Sequence, residues 1–252
     1  MHPTRIRVLK MKKHFLTYLL IAIFAISAVF TACKPDDDEN GNEKVQLVKT
    51  ITYYNSDGVS AYLNFEYDKK NRFATISFKY DYETIYSLRY QFEYISNDLV
   101  SLFIPDNAPA YNVVFSKNGN KIIVDFGDVW VDTCELNIDG YPIKALGINF
   151  QYLDGNIIEE DRYLETITYK YDNKKSPFYY CKTPKWMYVY IDDGLFPMMG
   201  GFSNNAINRK YIYILNDGDT IVETFTFTYE YDANGFPTKM YWDGKLYATF
   251  TY

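Results

Sequence analysis

The last stretch of the chain, YEYDANGFPTKMYWDGKLYATFTY (residues 229–252), decides the fold. Its grammar is Tyr-x-Tyr-Asp, a short run ending in Gly and Pro, and then an alternating segment that closes on an aromatic residue. In the residues that lead into it, Phe225, Phe227, Tyr229 and Tyr231 point one way, while Thr224, Thr226, Thr228 and Glu230 point the other. A period of two with one apolar face is the mark of a half-buried antiparallel strand. Asp232 then starts a turn, because a short carboxylate side chain accepts hydrogen bonds from backbone N–H groups just ahead of it.

The same units recur through the chain. Ile167, Tyr169 and Tyr171 alternate with Thr166, Thr168 and Lys170, and Ile76, Phe78, Tyr80 and Tyr82 form another such row. Tyr67-Asp68 and Tyr171-Asp172 repeat the strand end of Tyr231-Asp232. Asp57-Gly58, Asn118-Gly119, Asp139-Gly140, Asp154-Gly155, Asp193-Gly194, Asp217-Gly218, Asn234-Gly235 and Asp243-Gly244 punctuate the segments. Such dipeptides tolerate positive φ in tight hairpin turns. The expected fold is therefore all-β, a single antiparallel meander of hairpins, curved or closed into a barrel-like sheet. Asp68, Asp172 and Asp232 are expected to be turn residues, not catalytic acids.

Ahead of this body stands a leader. Arg5, Arg7, Lys10, Lys12 and Lys13 precede an apolar run from Phe15 to Phe30, and Phe30-Thr31-Ala32-Cys33 follows. A basic segment, a 16-residue apolar segment and small residues before a Cys read as a cleaved signal peptide, too short to be a spanning helix. The sequence resembles a bacterial lipobox, which implies lipidation of Cys33. The expected organisation is a signal peptide over 1–32, an acidic tether over 33–43 and an all-β domain over 44–252. The run of acidic residues after Cys33 resembles the surface-export signal of Bacteroidota lipoproteins, although Pro35 interrupts it. Anchorage at the outer membrane, facing the cell exterior, is expected; a periplasmic orientation is the alternative.

Composition narrows the chemistry. Both histidines, His2 and His14, lie in the leader, so the mature chain has none. Histidine-dependent triads, Cys-His dyads and imidazole zinc sites are excluded. The mature chain carries 21 basic and 32 acidic side chains, a net charge of −11. That balance argues against nucleic acid as a partner. With Cys33 acylated, Cys134 and Cys181 remain, either as an exported disulfide or as two buried thiols.

Three further landmarks, Tyr171-Asp172-Asn173-Lys174-Lys175-Ser176-Pro177-Phe178, Ser203-Asn204-Asn205 and Tyr231-Asp232-Ala233-Asn234-Gly235-Phe236-Pro237-Thr238, resemble those of a Bacteroidota lipoprotein family. That resemblance implies a porin-like all-β fold over most of residues 45–252 and carries no assigned activity or site residue. The Tyr-Asp pattern is also similar to the YD repeats of large bacterial shell proteins, at a spacing too irregular for an array.

The expected role is a non-catalytic envelope lipoprotein, without a cofactor or metal, that binds a glycan or protein partner. The alternatives are a carboxylate-dependent glycoside hydrolase, drawing on Glu159-Glu160-Asp161 or Asp192-Asp193, and an integral outer-membrane barrel whose closing strand would be Leu246 to Tyr252. Asn216-Asp217-Gly218-Asp219 has calcium-like oxygen spacing but lacks the rest of a calcium loop. The segment from Ser176 to Asn208 breaks the alternation with Pro177, Pro184 and Pro197 yet is rich in large apolar residues. It is expected either to plug the open end of the sheet or to present Trp186, Tyr179 and Tyr180 as a stacking platform.

Overall fold

The computed structural model describes residues 45–81, 88–104, 111–191, 202–215 and 218–252. Cys33, the leader and the tether lie outside these residues, as do Tyr82, Asp192-Asp193-Gly194 and Asn216-Asp217.

Alternation has produced sixteen antiparallel strands among the described residues. They are β1 (Thr50–Asn55), β2 (Gly58–Tyr67), β3 (Phe73–Tyr80), β4 (Leu88–Ile95), β5 (Asp98–Ile104) and β6 (Tyr111–Asn118). Next come β7 (Lys121–Asp125), β8 (Val131–Leu136), β9 (Pro142–Ala145), β10 (Ile148–Leu153) and β11 (Asn156–Arg162). The last are β12 (Glu165–Lys175), β13 (Asn204–Ile214), β14 (Thr220–Tyr231), β15 (Pro237–Trp242) and β16 (Lys245–Thr251). Each strand pairs with its chain neighbours, and β1 pairs with β16 in the register Thr50↔Thr251 to Tyr53↔Ala248. The meander is thus a closed barrel, which leaves the sheet no edge. Register shifts at Tyr53/Tyr54, Glu66/Tyr67, Glu93/Tyr94 and Met240/Tyr241 mark bulges, which sharpen local twist and help a sheet to curve.

The barrel has two distinct ends. Val45 and Tyr252 share one, here the terminal end, with the connections that follow even-numbered strands; the far end has those that follow odd-numbered strands.

At the terminal end one turn is used three times, twice at a Tyr-Asp strand end and once at Leu136-Asn137. Asp68 accepts hydrogen bonds from the N–H groups of Lys70 (2.8 Å) and Arg72 (3.0 Å). Asp232 does the same for Asn234 and Phe236 (both 2.9 Å), and Asn137 for Asp139 (2.9 Å) and Tyr141 (3.0 Å). In each, the fourth turn residue has positive φ: Asn71 at 62°, Gly140 at 81° and Gly235 at 82°. That conformation is open to Gly and, less readily, to Asn. Asp172 starts a fourth copy, accepting from the Lys174 N–H at 3.0 Å, but the chain does not close it. It leaves at Ser176 and returns at Ser203, where the Ser176 N–H donates to the Ser203 carbonyl at 3.0 Å. The returning Asn205, fully buried, donates its backbone N–H to Asp172 at 3.1 Å and its side-chain amide to the Lys175 carbonyl, also at 3.1 Å. Tyr231 donates its hydroxyl to the same Asp172 carboxylate. Three landmark motifs thus meet in one knot at the base of an inserted segment.

The inward row of the barrel is apolar and aromatic. Ile51, Leu63, Phe65, Phe73, Leu102, Phe115, Val124, Phe227, Met240 and Phe250 are all buried. The outward row carries Gln91, Glu93, Lys121, Gln151, Lys170, Thr224, Thr226, Thr228 and Glu230, all exposed. Polar pairs bridge neighbouring strands across that surface: Lys239 to Glu230 at 2.9 Å, Lys121 to Glu135 at 3.1 Å and Ser101 to Glu93 at 2.8 Å.

Candidate functional site

The inserted segment supplies what a sixteen-strand wall cannot, since side chains alone do not fill so wide a barrel. From Ser176 the chain passes into the lumen, forms a short 3-10 helix at Lys185–Val189, and reaches Ile191. Phe178 packs edge-on against Phe65 (5.3 Å) and Phe73 (5.8 Å). Tyr188 sits 5.6 Å from Phe73 and 5.0 Å from Phe202, and Trp186 meets Phe115 at 5.0 Å. Polar contacts pin the segment at both ends of the barrel. Near the terminal end the Phe73 N–H donates to Thr183 Oγ1 at 2.8 Å and the Lys182 N–H to the Asn71 carbonyl at 2.9 Å. Toward the far end Tyr190 donates to Asp132 Oδ2 at 2.5 Å, and its ring lies 6.1 Å from Phe126. The segment is a plug.

Between the plug and the terminal-end turns lies an open crevice of about 630 Å³. Phe115, Leu136 and Trp186 contribute an apolar floor, while Asp98, Asp139, Lys117 and Lys182 line its margin with both signs of charge. Lys185 is mostly sunk into the plug, between the rings of Tyr188 (5.5 Å) and Phe202 (5.1 Å). Burial lowers its pKa below the ordinary lysine value. A concave apolar floor with a few charged groups at its margin is suited to an amphipathic ligand such as a sugar or peptide.

The residues expected to form a stacking platform fare differently. Trp186 is only 6% exposed, so its face is not free to stack on a ligand, and it reaches the crevice as part of the floor. As an exposed platform it is corrected: its ring is consumed by Phe115 and Tyr190. Tyr179 and Tyr180 are half-buried and lie edge to face at 5.1 Å. The Lys175 ammonium stands 5.5 Å from the Tyr179 ring and 5.4 Å from those of Tyr180 and Phe236, so the chain's own cation occupies that aromatic cluster. Tyr179 also lines the crevice.

The disulfide alternative is corrected as well, because Cys134 and Cys181 are separate buried thiols. Burial pushes the Cys134 thiol up to about 12, and Cys181 contacts Thr183 Oγ1 at 3.4 Å. Cys33 lies outside the described residues. The carboxylates Glu159, Glu160 and Asp161 do not converge. Glu159 accepts from Gln151 Nε2 at 2.5 Å on the outer wall, and Asp161 is exposed. Glu160 faces inward, 1% exposed, bound by Tyr169 (2.6 Å) and Arg162 (2.8 Å). Among the described residues no group of three or more Cys, Asp or Glu side chains is placed to hold a metal.

Sequence reasoning missed the polar patch around Glu160. Arg162 bridges Glu160 and Glu165 (3.3 Å), and Arg209 lies over the rings of Tyr211 (4.4 Å) and Tyr169 (5.7 Å). The available signal was Arg209 itself, a charge whose alternation partner is the inward Tyr211.

No protein-family model matches the sequence, and none of the curated proteins does. Among solved structures, the chain is similar to a porin-like protein from Bacteroides uniformis ATCC 8492, at 13% identity and a TM-score of 0.48, over 80% of this chain and 95% of that one. It is also similar to a porin-like protein from Bacteroides vulgatus ATCC 8482, at 12% identity and a TM-score of 0.40, over 82% and 99%.

Proposed function

We propose that this chain is a non-catalytic module of the bacterial cell envelope, tethered to the outer membrane through a lipidated Cys33 and standing in water beside the bilayer. Its plug-side crevice takes a glycan or protein partner. The observation that carries this reading is the direction of the two rows. A barrel that spans lipid turns aliphatic residues outward and keeps polar ones within. Here Thr, Lys, Glu and Gln face outward, paired across strands, while the aromatic residues fill the inside. Each Lys or Arg turned toward lipid at mid-depth costs about 2–4 kcal/mol, so such a wall belongs in water.

The test has two arms. Full-length Cys33→Ser protein is expected to leave the membrane fraction and to stay monodisperse without detergent; retention in membranes after a high-salt wash overturns the anchor, and insertion into liposomes overturns the position beside the bilayer. Native protein isolated from its envelope is then expected to carry a partner that Tyr179→Ala, on the crevice wall, no longer retains. Equal retention by both removes the crevice from the reading.

A further inference from the structure

Arg209 sits near the middle of β13, faces the lumen and is 8% exposed. Its guanidinium rests on Tyr211 and Tyr169, and its Nε is buried with no acceptor. The nearby carboxylates are committed elsewhere: both Glu160 oxygens are taken by Tyr169 and Arg162, and Glu165 pairs with Arg162. A buried cation without a hydrogen-bonded counter-charge is costly, and an apolar residue at this position would avoid the cost. A second orphan lies close by. Trp242 Nε1 is also buried without an acceptor. Phe225 pairs with Arg209 across β13 and β14, and its ring is 5.5 Å from that of Trp242, so the two orphan groups flank one aromatic side chain. Both are donors only, and neither can be satisfied by another donor.

A cavity of about 440 Å³ opens at the far end, reached by Trp242 of the two orphan donors and lined also by Tyr54, Asp243, Lys245 and Tyr247. Tyr247 joins the two regions. It lies 5.4 Å from Trp242 and 5.6 Å from Tyr53, and the positive charge of Arg209 opposes the rise that burial gives its phenol pKa. Lys245, exposed, places a second cation in the lining.

We propose that the lumen beside β13 to β16 binds a small ligand bearing a carboxylate or sulfate, with Arg209 holding the oxyanion and the cavity over Trp242 and Tyr247 seating the rest. Guanidinium suits this task because its fixed fork of donors matches a planar or tetrahedral oxyanion. The ring walls suit the flat face of a sugar or other cyclic body. This site is separate from the plug-side crevice and stands whether or not that crevice binds.

The experiment uses the full chain, purified from membranes in mild detergent, titrated with glucuronate, inorganic sulfate and glucose, and followed by calorimetry and tryptophan fluorescence. Glucuronate and sulfate are expected to bind, with glucose at least about tenfold weaker than glucuronate. Arg209→Gln is expected to lose about tenfold or more in glucuronate affinity, and Trp242→Phe, which keeps a ring but loses the donor, to weaken it as well. Lys245→Gln on the exposed rim tests the same site without touching the interior, and a weaker affinity there supports it even if Arg209→Gln fails to fold. Binding of glucose equal to glucuronate, no binding of either anion up to about 10 mM, or unchanged affinity in the variants that fold overturns the proposal.

Discussion

At the scale of single residues, the three closed turns form a natural comparison, because Asp68, Asp232 and Asn137 occupy the same position with the same pair of backbone donors. Asn137 shows that the turn needs an acceptor oxygen and no charge. Burial alone would raise the Asp68 pKa, but Arg72 and the N–H groups of Arg72 and Lys70 outweigh it and hold the carboxyl below its usual range. For Asp232, burial is likewise outweighed by Gln46 and the N–H groups of Phe236, Asn234 and Gly235. A lowered folded-state pKa contributes stability that is present above the unfolded value, about 4, and is lost as pH falls through the folded one. Asp68→Asn and Asp232→Asn together should therefore lower the melting temperature at pH 7, because the stability their charges contribute there is gone, and flatten its fall below about pH 4. An unaltered acid limb would show that other carboxylates control it. The turn role of these residues was legible in the sequence, since Asp followed by Gly or Asn announces it. The inward charges were not. Glu160 stands between Glu159 and Asp161, and a strand's parity cannot be told from an acidic triplet when both faces are able to carry charge.

At the scale of elements, the plug was half legible. Its prolines and its excess of apolar residues mark a segment that is neither strand nor solvated loop, but the direction in which those residues turn depends on a lumen that only barrel closure creates. The sequence segment from 176 to 208 also overshoots, because β13 has already begun at Asn204; pairing of Lys175 with Asn204 and of Tyr171 with Ala206 extends the sheet into it. Trp186→Ala removes a ring that is 6% exposed and packed on Phe115 and Tyr190, a loss of about 3–5 kcal/mol by the precedent of large-to-small core changes. In a domain of this size the melting temperature should fall on the order of 10 °C. Thr183→Val isolates a smaller term: it leaves the buried Phe73 N–H without its acceptor, at a cost of about 1–3 kcal/mol. Melting curves of both variants that overlay the parent would mean that the plug is a passenger in the lumen.

At the scale of the whole molecule, closure links the last strand to the first, so damage at one chain end should be felt at the other. Period-two alternation and frequent turns foretell a long meander, but whether its ends meet depends on the accumulated twist and bulges of sixteen strands, which no local pattern records. In the barrel, Phe250 is buried opposite Ile51, the Lys49 N–H donates to the Thr251 carbonyl at 2.7 Å, and Tyr252 packs on Phe236 at 5.4 Å while donating to the Pro237 carbonyl at 3.0 Å. Deleting Phe250 to Tyr252 therefore does three things at once. It opens the β1/β16 seam from its terminal end, strips two rings from the inner face, and bares unpaired backbone on β1. The loss should reach several kcal/mol, on the order of the stability of a whole domain. An open sheet would confine the damage to the end of β16, whose pairs with β15 run only from Lys245 to Thr249. A closed one should carry it to Thr50 to Tyr53 on β1, far away in sequence. Hydrogen exchange separates the two: in the truncated protein the β1 amides are expected to exchange much faster than in the parent, and β1 protection that survives the deletion would show that the seam does not hold the barrel together.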